Sequence, residues 1–289
     1  MGEHQAKLDY VVPIETLELA AADNLETVEV SQMPELSLAL PEQEWFETQV
    51  LRVSGQVLGL TNKASVENRG SLYVWQEGDK NLTISPTIGL IRFSTAFNLE
   101  ETVLPSSSPS PDLARVAVEN FLTRTGLPAT FYDLENSAYT YLNLDSENIP
   151  TPVSGSDGEL LRMDIAFSVS GVPMFLPVQS FVVVDGEGTI RLLALLVPNV
   201  RETGRTITLH GANRARDRLE AGVGVVIDSS SVSDGAQSGS LEPFLIERVS
   251  PAYYIGNREF YSLGTRRVLT PVYVFGGEQG KVAVLAARE

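Results

Sequence analysis

One pattern occurs three times along this chain: an amphipathic helix followed by about three short strands. The first repeat begins at Pro41, and its helix ends at Gly59-Leu60. The apolar residues of this helix share one stripe: Phe46, Val50, Val53, Val57 and Leu60. Turn residues then separate three predicted strands at 72–75, 82–85 and 90–93. One such helix can cover the apolar face of one small curved sheet.

The second repeat has the clearest helix boundaries. Ser110 is a good N-cap, Pro111 suits the first helical position, and Gly126-Leu127-Pro128 is a typical helix end. The segment 162–169 then alternates apolar and polar side chains, as a half-buried strand does. Two more strands are predicted at 175–184 and 189–197, joined by a hairpin turn at Asp185-Gly186-Glu187-Gly188.

The third repeat begins at Thr208, a candidate cap, and its helix ends at Gly222. The apolar stripe of this helix consists of Leu209, Ala212, Ala215 and Leu219. The segment 228–240 is rich in Ser, Gly and Asp and is predicted to be a mobile loop. Strands are predicted at 245–255, 268–276 and 281–286.

These repeats predict an α+β protein of serial modules, each with one helix packed on a small antiparallel sheet. The modules span residues 41–104, 105–205 and 206–289. Residues 1–40 precede them, and the first 50 residues hold eleven acids against one base, Lys7. This charge predicts an acidic leader or tether with one strand docked on the body, and an acidic partner-binding arm is the alternative.

Overall charge excludes several kinds of partner. Lys and Arg number 21 against 37 Asp and Glu, which gives a net charge of -16. Nucleic-acid binding needs clustered basic residues, and an anionic membrane surface repels an acidic protein. The absence of cysteine excludes disulfides, thiolate metal sites and a cysteine nucleophile. No apolar run approaches the roughly 18 residues of a membrane span.

Sequence motifs give no catalytic, cofactor-binding or metal-ligating residues. The two histidines are His4, in the leader, and His210, at the start of the third helix, and no second spaced histidine accompanies either. No zinc-protease or phosphate-binding loop motif occurs, and Gly222-Val223-Gly224 lacks the third glycine of a dinucleotide loop. The chain is therefore predicted to be a non-enzyme that carries no cofactor.

A few side chains still allow two interpretations each. Asp164 and Glu247 are the carboxylates to inspect for an acid pair, but alternation with apolar neighbours favours simple exposure. Arg266-Arg267 suits an anion, but a surface pair is the default because adjacent strand residues point opposite ways. Six aromatic residues suit either a recognition patch or a core: Trp45, Trp75, Tyr253, Tyr254, Tyr261 and Tyr273.

Several short segments resemble a known family. Gly171-Val172-Pro173-Met174-Phe175 and the segment from Val182 to Ile190 resemble the PepSY modules of bacterial proteins, a PepSY or cystatin-like fold of one helix on a small sheet. Ala252-Tyr253-Tyr254, together with the segment from Leu269 to Phe275, resembles the last module of extracytoplasmic regulators of the YycH and YycI type. The similarity covers roughly residues 41–287.

The resemblance implies a non-catalytic, extracytoplasmic regulatory or protein-binding protein, membrane- or lipid-anchored through a segment absent from this chain. A sensor kinase, a peptidase or another envelope protein is the implied partner. A secreted hydrolase that uses acidic residues in an inter-module cleft is the alternative, and a structural spacer is a third hypothesis. For partner binding, the C-terminal strand at 281–286 is predicted to be a free sheet edge, as Pro271 in the preceding strand suggests. Closure of such edges by the neighbouring modules or by the leader is the alternative.

Overall fold

The computed structural model describes residues 19–39, 44, 50–61, 66–69, 72–95, 107–221, 223–228, 244–256, 260–261, 267–277 and 280–285. Internal contacts divide the chain into two compact units. The middle unit comprises Ala39–Val169 and Val178–Asn199, and the terminal unit comprises Met1–Leu38, Ser170–Pro177 and Val200–Glu289. This division differs from the three modules at 41–104, 105–205 and 206–289, whose boundaries stay a prediction.

Among the described residues the chain forms seventeen strands, numbered β1 to β17 in chain order: Leu19–Thr27, Gln32–Ala39, Val66–Arg69, Leu72–Glu77, Lys80–Ser85, Leu90–Thr95, Tyr132–Leu144, Pro150–Pro152, Leu160–Val169, Val172–Phe175, Ser180–Asp185, Ile190–Leu196, Asn199–Thr208, Val225–Asp228, Phe244–Tyr254, Arg267–Gly277 and Gly280–Leu285. Three α-helices, α1 to α3, lie at Leu51–Val57, Pro111–Thr125 and Ala212–Glu220 in the same part of the chain, and a 3-10 turn lies at Ala129–Phe131.

The described strands of the middle unit form one antiparallel sheet in the order β3-β4-β5-β6-β12-β11-β9-β7-β8. β6 and β12 pair edge to edge, from Leu90 with Leu196 to Ser94 with Leu192. β6 ends the small sheet predicted for the first module, and β12 belongs to the sheet predicted for the second. Their pairing makes the two sheets one.

The predicted fold class, α+β with one helix on each small PepSY or cystatin-like sheet, is wrong, because the protein is mostly β. Two long strands were missed by the sequence analysis. β7 and β13 have 13 and 10 residues, but their burial does not alternate cleanly along the strand. A strand without regular alternation gives a weak sequence signal, and sequence patterns do not show which sheet edges join.

Local predictions for the second helix are confirmed. The Leu113 N–H donates a hydrogen bond to the Ser110 Oγ at 3.3 Å, and Pro111 lies in the first turn of α2. Gly126 ends the helix in the left-handed conformation, with a φ of 68° that glycine adopts without steric cost. Capping depends on neighbouring residues alone, which is why the sequence predicts it well.

Helices α1 and α2 contact each other, and α2 packs on β9 and β11. The predicted alternation along 162–169 is confirmed, with half-buried Arg162 and Asp164 between buried apolar residues. The buried side chains of β9 on this face are Leu161, Met163, Ile165 and Phe167. Those that α2 buries are Ala114, Val118, Phe121, Leu122 and Thr125.

In the terminal unit, β15 pairs antiparallel with β16 along one edge and parallel with β1 and then β10 along the other. β1 and β2 come from the predicted leader, so that segment supplies two strands. β17 pairs with both β14 and β16 over residues 281–283, so the prediction of a free edge there is wrong. The predicted loop at 228–240 lies outside the described residues except for Asp228.

The indole ring of Trp75 in β4 packs against Gly55 of α1, and Trp75 is only 1% exposed. A Cβ at Gly55 would overlap the ring carbons of Trp75. Alanine in a helix usually gains about 1 kcal/mol over glycine, but overpacking a filled core costs about 1–3 kcal/mol.

We therefore expect Gly55→Ala to lower the free energy of unfolding by up to about 2 kcal/mol, because the cost of overpacking exceeds the gain in helix propensity. The control is Gln56→Ala at the exposed neighbouring position, which should change stability by less than about 0.5 kcal/mol. Urea denaturation measures both. A stabilised Gly55→Ala protein would contradict the close packing of α1 on β4.

The turn between β11 and β12 is the predicted hairpin, and a fully buried carboxylate holds it together. The Asp185 Oδ1 accepts from the backbone N–H groups of Glu187 and Thr189, each at 3.0 Å. Its Oδ2 accepts from the Arg191 guanidinium at 2.7 Å. Every acceptor of the buried charge is thus used, which is the condition for burying it.

Asp185→Ala should destabilise the middle unit by about 3 kcal/mol, because it leaves Arg191 and two N–H groups without their acceptor. Asp112→Ala is the matched control: Asp112 pairs with Arg115 at the surface and should contribute at most about 1 kcal/mol. Thermal and urea unfolding of both variants measure the difference. Equal losses of stability in the two variants would show that burial of Asp185 does not increase its contribution to stability.

Candidate functional site

The outer edge of β7 is the candidate functional site. β7 pairs with β9 along one edge over most of its length. On its other edge β8 reaches only Leu142, Asn143 and Leu144. Among the described strands, none covers the outer edge of β7 before Leu142. We call residues 138–141 of this strand the β7 edge.

The backbone of the β7 edge directs hydrogen-bonding groups outward. The Val153 N–H, on the outer side, donates to the Tyr141 carbonyl at 2.9 Å. In an extended strand the N–H and carbonyl of every second residue point the same way. The N–H and carbonyl of Tyr139 therefore also point outward, whereas those of Thr140 point to β9.

An irregularity bounds the β7 edge on its N-terminal side. The register with β9 shifts between Asp133 and Ala138. The Ser137 Oγ donates to the Asp133 carbonyl at 2.9 Å and accepts from the Ala166 N–H at 3.2 Å, so it replaces part of the ladder. Such bulges end strand pairing at sheet edges. The straight, uncovered part of the strand is therefore short, and β8 closes its other end.

Tyr139 and Tyr141 are half-buried and lie on the helix-covered face, because they pair with Met163 and Leu161 of β9. Burial raises the pKa of the Tyr139 hydroxyl above its usual value; the charge of Arg115 opposes this, and that of Asp112 adds to it. These charges come from the first turns of α2. The β7 edge is thus flanked by two phenol rings and by the start of a helix.

On the opposite face, Ala138 and Thr140 are in register with Asp164 and Arg162. The Asp164 Oδ1 accepts from Arg162 Nε and from the Gln179 side chain, both at 2.8 Å. The Arg162 guanidinium also lies 4.3 Å from the centre of the Phe181 ring. The carboxylate of Asp164 is therefore engaged in an ion pair.

The other residues singled out by the sequence are scattered. Glu247 is exposed on β15 of the terminal unit, so it and Asp164 belong to different units. The His210 Nδ1 lies 3.4 Å from Arg214 Nη1, and its Nε2 is buried without a hydrogen-bond partner among the described residues. The remaining candidates outside the described residues are His4, Trp45 and Arg266.

Most of the described aromatic candidates are core residues. Tyr253 and Tyr273 are buried in the terminal unit, where their hydroxyls donate to the Pro34 and Val30 carbonyls at 2.9 and 3.1 Å. Burial, with a contribution from Glu202, raises the pKa of Tyr253 to about 12. Trp75 is also buried, Tyr254 is half-buried and Tyr261 is exposed. The core interpretation therefore holds for three of these side chains.

Tyr139 and Tyr141 were not predicted, because no strand is predicted between the helix end at 126–128 and the strand at 162–169. A signal was present: Ala138-Tyr139-Thr140-Tyr141-Leu142 is rich in aromatic and β-branched residues, which strands favour. Sequence shows such a strand but not that one of its edges is left unpaired, because that depends on where β8 ends.

Among the described residues, no group of three or more His, Asp or Glu side chains is arranged to hold a metal ion. In the same part of the chain no helix is both long and apolar enough to cross a membrane.

No protein-family model matches the sequence, and no curated protein matches it. Solved structures with a similar arrangement include an uncharacterized protein from Eubacterium rectale ATCC 33656. It is 12% identical, with a TM-score of 0.48, over 92% of this chain and 86% of that chain. Another is YycH from Bacillus subtilis, 12% identical with a TM-score of 0.45, over 88% of this chain and 52% of YycH. The chain spans about half the length of YycH.

Arg267 is not the surface residue that the sequence favoured, because it is only 5% exposed. Its Nε has no hydrogen-bond partner among the described residues, and its guanidinium lies 5.5 Å from the centre of the Phe260 ring. Burial lowers the pKa of Arg267. Desolvating a charged group without full pairing opposes folding.

Arg267→Met should therefore leave the free energy of unfolding unchanged or raise it, because methionine keeps much of the chain length and removes the buried charge. Arg267→Ala should lower it, since a cavity replaces the side chain. Urea denaturation of the two variants separates charge from packing. A loss of more than about 2 kcal/mol in Arg267→Met would indicate a fully satisfied guanidinium.

Proposed function

We propose that this chain is a non-catalytic regulatory protein that binds another protein by accepting an extended segment at the β7 edge. The observation that carries the proposal is the outward backbone of Tyr139, on a stretch of β7 whose outer edge no described strand covers. An added strand uses such groups for affinity and the adjacent side chains for specificity.

The expected strength of this interaction follows from its few contacts. The edge offers the N–H and carbonyl of Tyr139 and the N–H of Tyr141, and each backbone hydrogen bond contributes about 0.5–1.5 kcal/mol net. Contacts with the two phenol rings must supply the remaining binding free energy, because ordering a flexible segment opposes binding. A weak, reversible complex is the result, which suits a regulatory protein.

The place of action is part of the same proposal. The resemblance to regulators of the YycH and YycI type implies an extracytoplasmic protein held by a membrane or lipid anchor. It also implies a sensor kinase, a peptidase or another envelope protein as the partner. The hydrolase alternative gains no support from Asp164, which is ion-paired, or from Glu247, which is exposed and lies in the other unit.

Peptide selection tests strand addition. Random octapeptides displayed on phage are selected on the whole chain, and the strongest binder is synthesised. Tyr139→Pro should weaken its binding at least about tenfold more than Tyr139→Ala does. Both substitutions remove the phenol ring, but only proline removes the outward N–H, and an outward position of an edge strand tolerates proline.

Hydrogen exchange provides a second measurement that needs no variant. The peptide should slow exchange of the Tyr139 amide and leave the Thr140 amide, already bonded to β9, unchanged. Equal affinities for the Tyr139→Pro and Tyr139→Ala proteins, or unchanged exchange at Tyr139 in the complex, would refute strand addition at this edge. A library that yields no binder would count equally against it.

A further inference from the structure

The β7 edge lies in the part of the middle unit with a strong negative charge. Residues 107–160 form α2, β7, β8 and their connections, and they hold eight acids against two bases, Arg115 and Arg124. The net charge of this segment is therefore -6. Its acids are Asp112, Glu119, Asp133, Glu135, Asp145, Glu147, Asp157 and Glu159.

Two of these carboxylates, Glu119 on α2 and Glu135 on β7 itself, are exposed. Glu119 lies one helical turn after Arg115 on α2, and Arg115 is the residue whose charge acts on Tyr139. Glu135 lies in the irregular part of β7, four residues before Tyr139. Asp112 is compensated by its ion pair with Arg115 at 2.9 Å. These positions make Glu119 and Glu135 the acids to test for an interaction with charges on an added strand.

We propose that the segment bound at the β7 edge is a basic one: an extended stretch of a partner protein in which lysine or arginine alternates with apolar residues. This inference rests on the proposed function and adds the chemistry of the partner. Complementary charge speeds encounter and selects among partners. A second copy of this chain is disfavoured, because each copy carries a net charge of -16 and brings its own acids to the same edge.

Three capped hexapeptides test the charge requirement: alternating lysine and valine, alternating serine and valine, and alternating glutamate and valine. Fluorescence anisotropy measures the affinity for each peptide, and the backbone amide signals in NMR spectra report where each peptide binds. The lysine peptide should bind at least about tenfold more tightly than the serine peptide, and added salt should reduce that advantage. The glutamate peptide should bind most weakly.

Charge-neutral variants locate the effect. Glu119→Gln and Glu135→Gln should each weaken the lysine peptide about two- to threefold and leave the serine peptide unchanged. Asp217→Asn, at an exposed position on α3 of the terminal unit, is the matched control and should change neither peptide. Tyr139→Pro should weaken the lysine and serine peptides alike.

Each contrary outcome has a separate meaning. If the serine peptide binds the β7 edge as tightly as the lysine peptide, the basic partner is refuted and strand addition stands. If no peptide shifts the Tyr139 amide signal, the proposed function itself fails. A lysine peptide that binds the Tyr139→Pro protein with full affinity would show attraction elsewhere and overturn the inference. Protection of the Tyr139 amide that grows with protein concentration alone would assign the edge to a second copy.

Discussion

The pairing of β6 with β12 is the interaction on which the architecture of the middle unit depends. Four strands precede this junction in the sheet order and five follow it, and Leu90 to Ser94 join them through a regular antiparallel register. A sheet edge exposes unsatisfied backbone groups, so joining two edges satisfies both at once. The same junction places two helices side by side, because α1 and α2 contact each other. Among the described strands, the fused sheet then ends at β3 on one side and at β7 with β8 on the other.

The β7 edge follows from a mismatch in strand length at that boundary. β7 has 13 residues, whereas β8 has three and includes Pro150 and Pro152, which cannot donate to a ladder. Natural sheets protect such an edge with bulges and charges. Both occur here, as the register shift after Asp133 and the acids Glu119 and Glu135 show. These features disfavour pairing between identical acidic chains without blocking the backbone of Tyr139, so protection against self-association and the proposed selection of a basic strand have one physical origin.

Local features of this fold were predictable and long-range ones were not. The Ser110 cap and the Gly126 end of α2 depend on adjacent residues, as does the Asp185 turn, and the structure confirms them. The alternation along β9 was also visible, because one face of that strand is buried and the other is half-exposed. Fusion of the two sheets was not predictable, since the sequence of β6 does not indicate that β12 pairs with it. Arg267 was misjudged for a similar reason: its burial comes from tertiary packing, in which its guanidinium lies near the Phe260 ring. The candidate site combines both kinds of information. Tyr139 lies in a recognisable strand, but only the sheet order shows that no described strand covers its outer edge.

The contrast between Asp185 and Tyr139 explains why binding is assigned to an edge and not to a charged side chain. Asp185 is fully buried, and all its hydrogen bonds are made inside the middle unit, so it has no capacity left for a partner. The Asp164 carboxylate, although half-exposed, is likewise engaged by Arg162 and Gln179. The outward N–H and carbonyl of Tyr139 pair with no described strand, so an added strand would replace water at both groups. Exchanging that water for a peptide backbone releases solvent and pairs both groups, whereas recruiting Asp185 would first require breaking bonds that hold the turn. Free energy for association is therefore available at the boundary of the sheet, where folding leaves hydrogen bonds unmade.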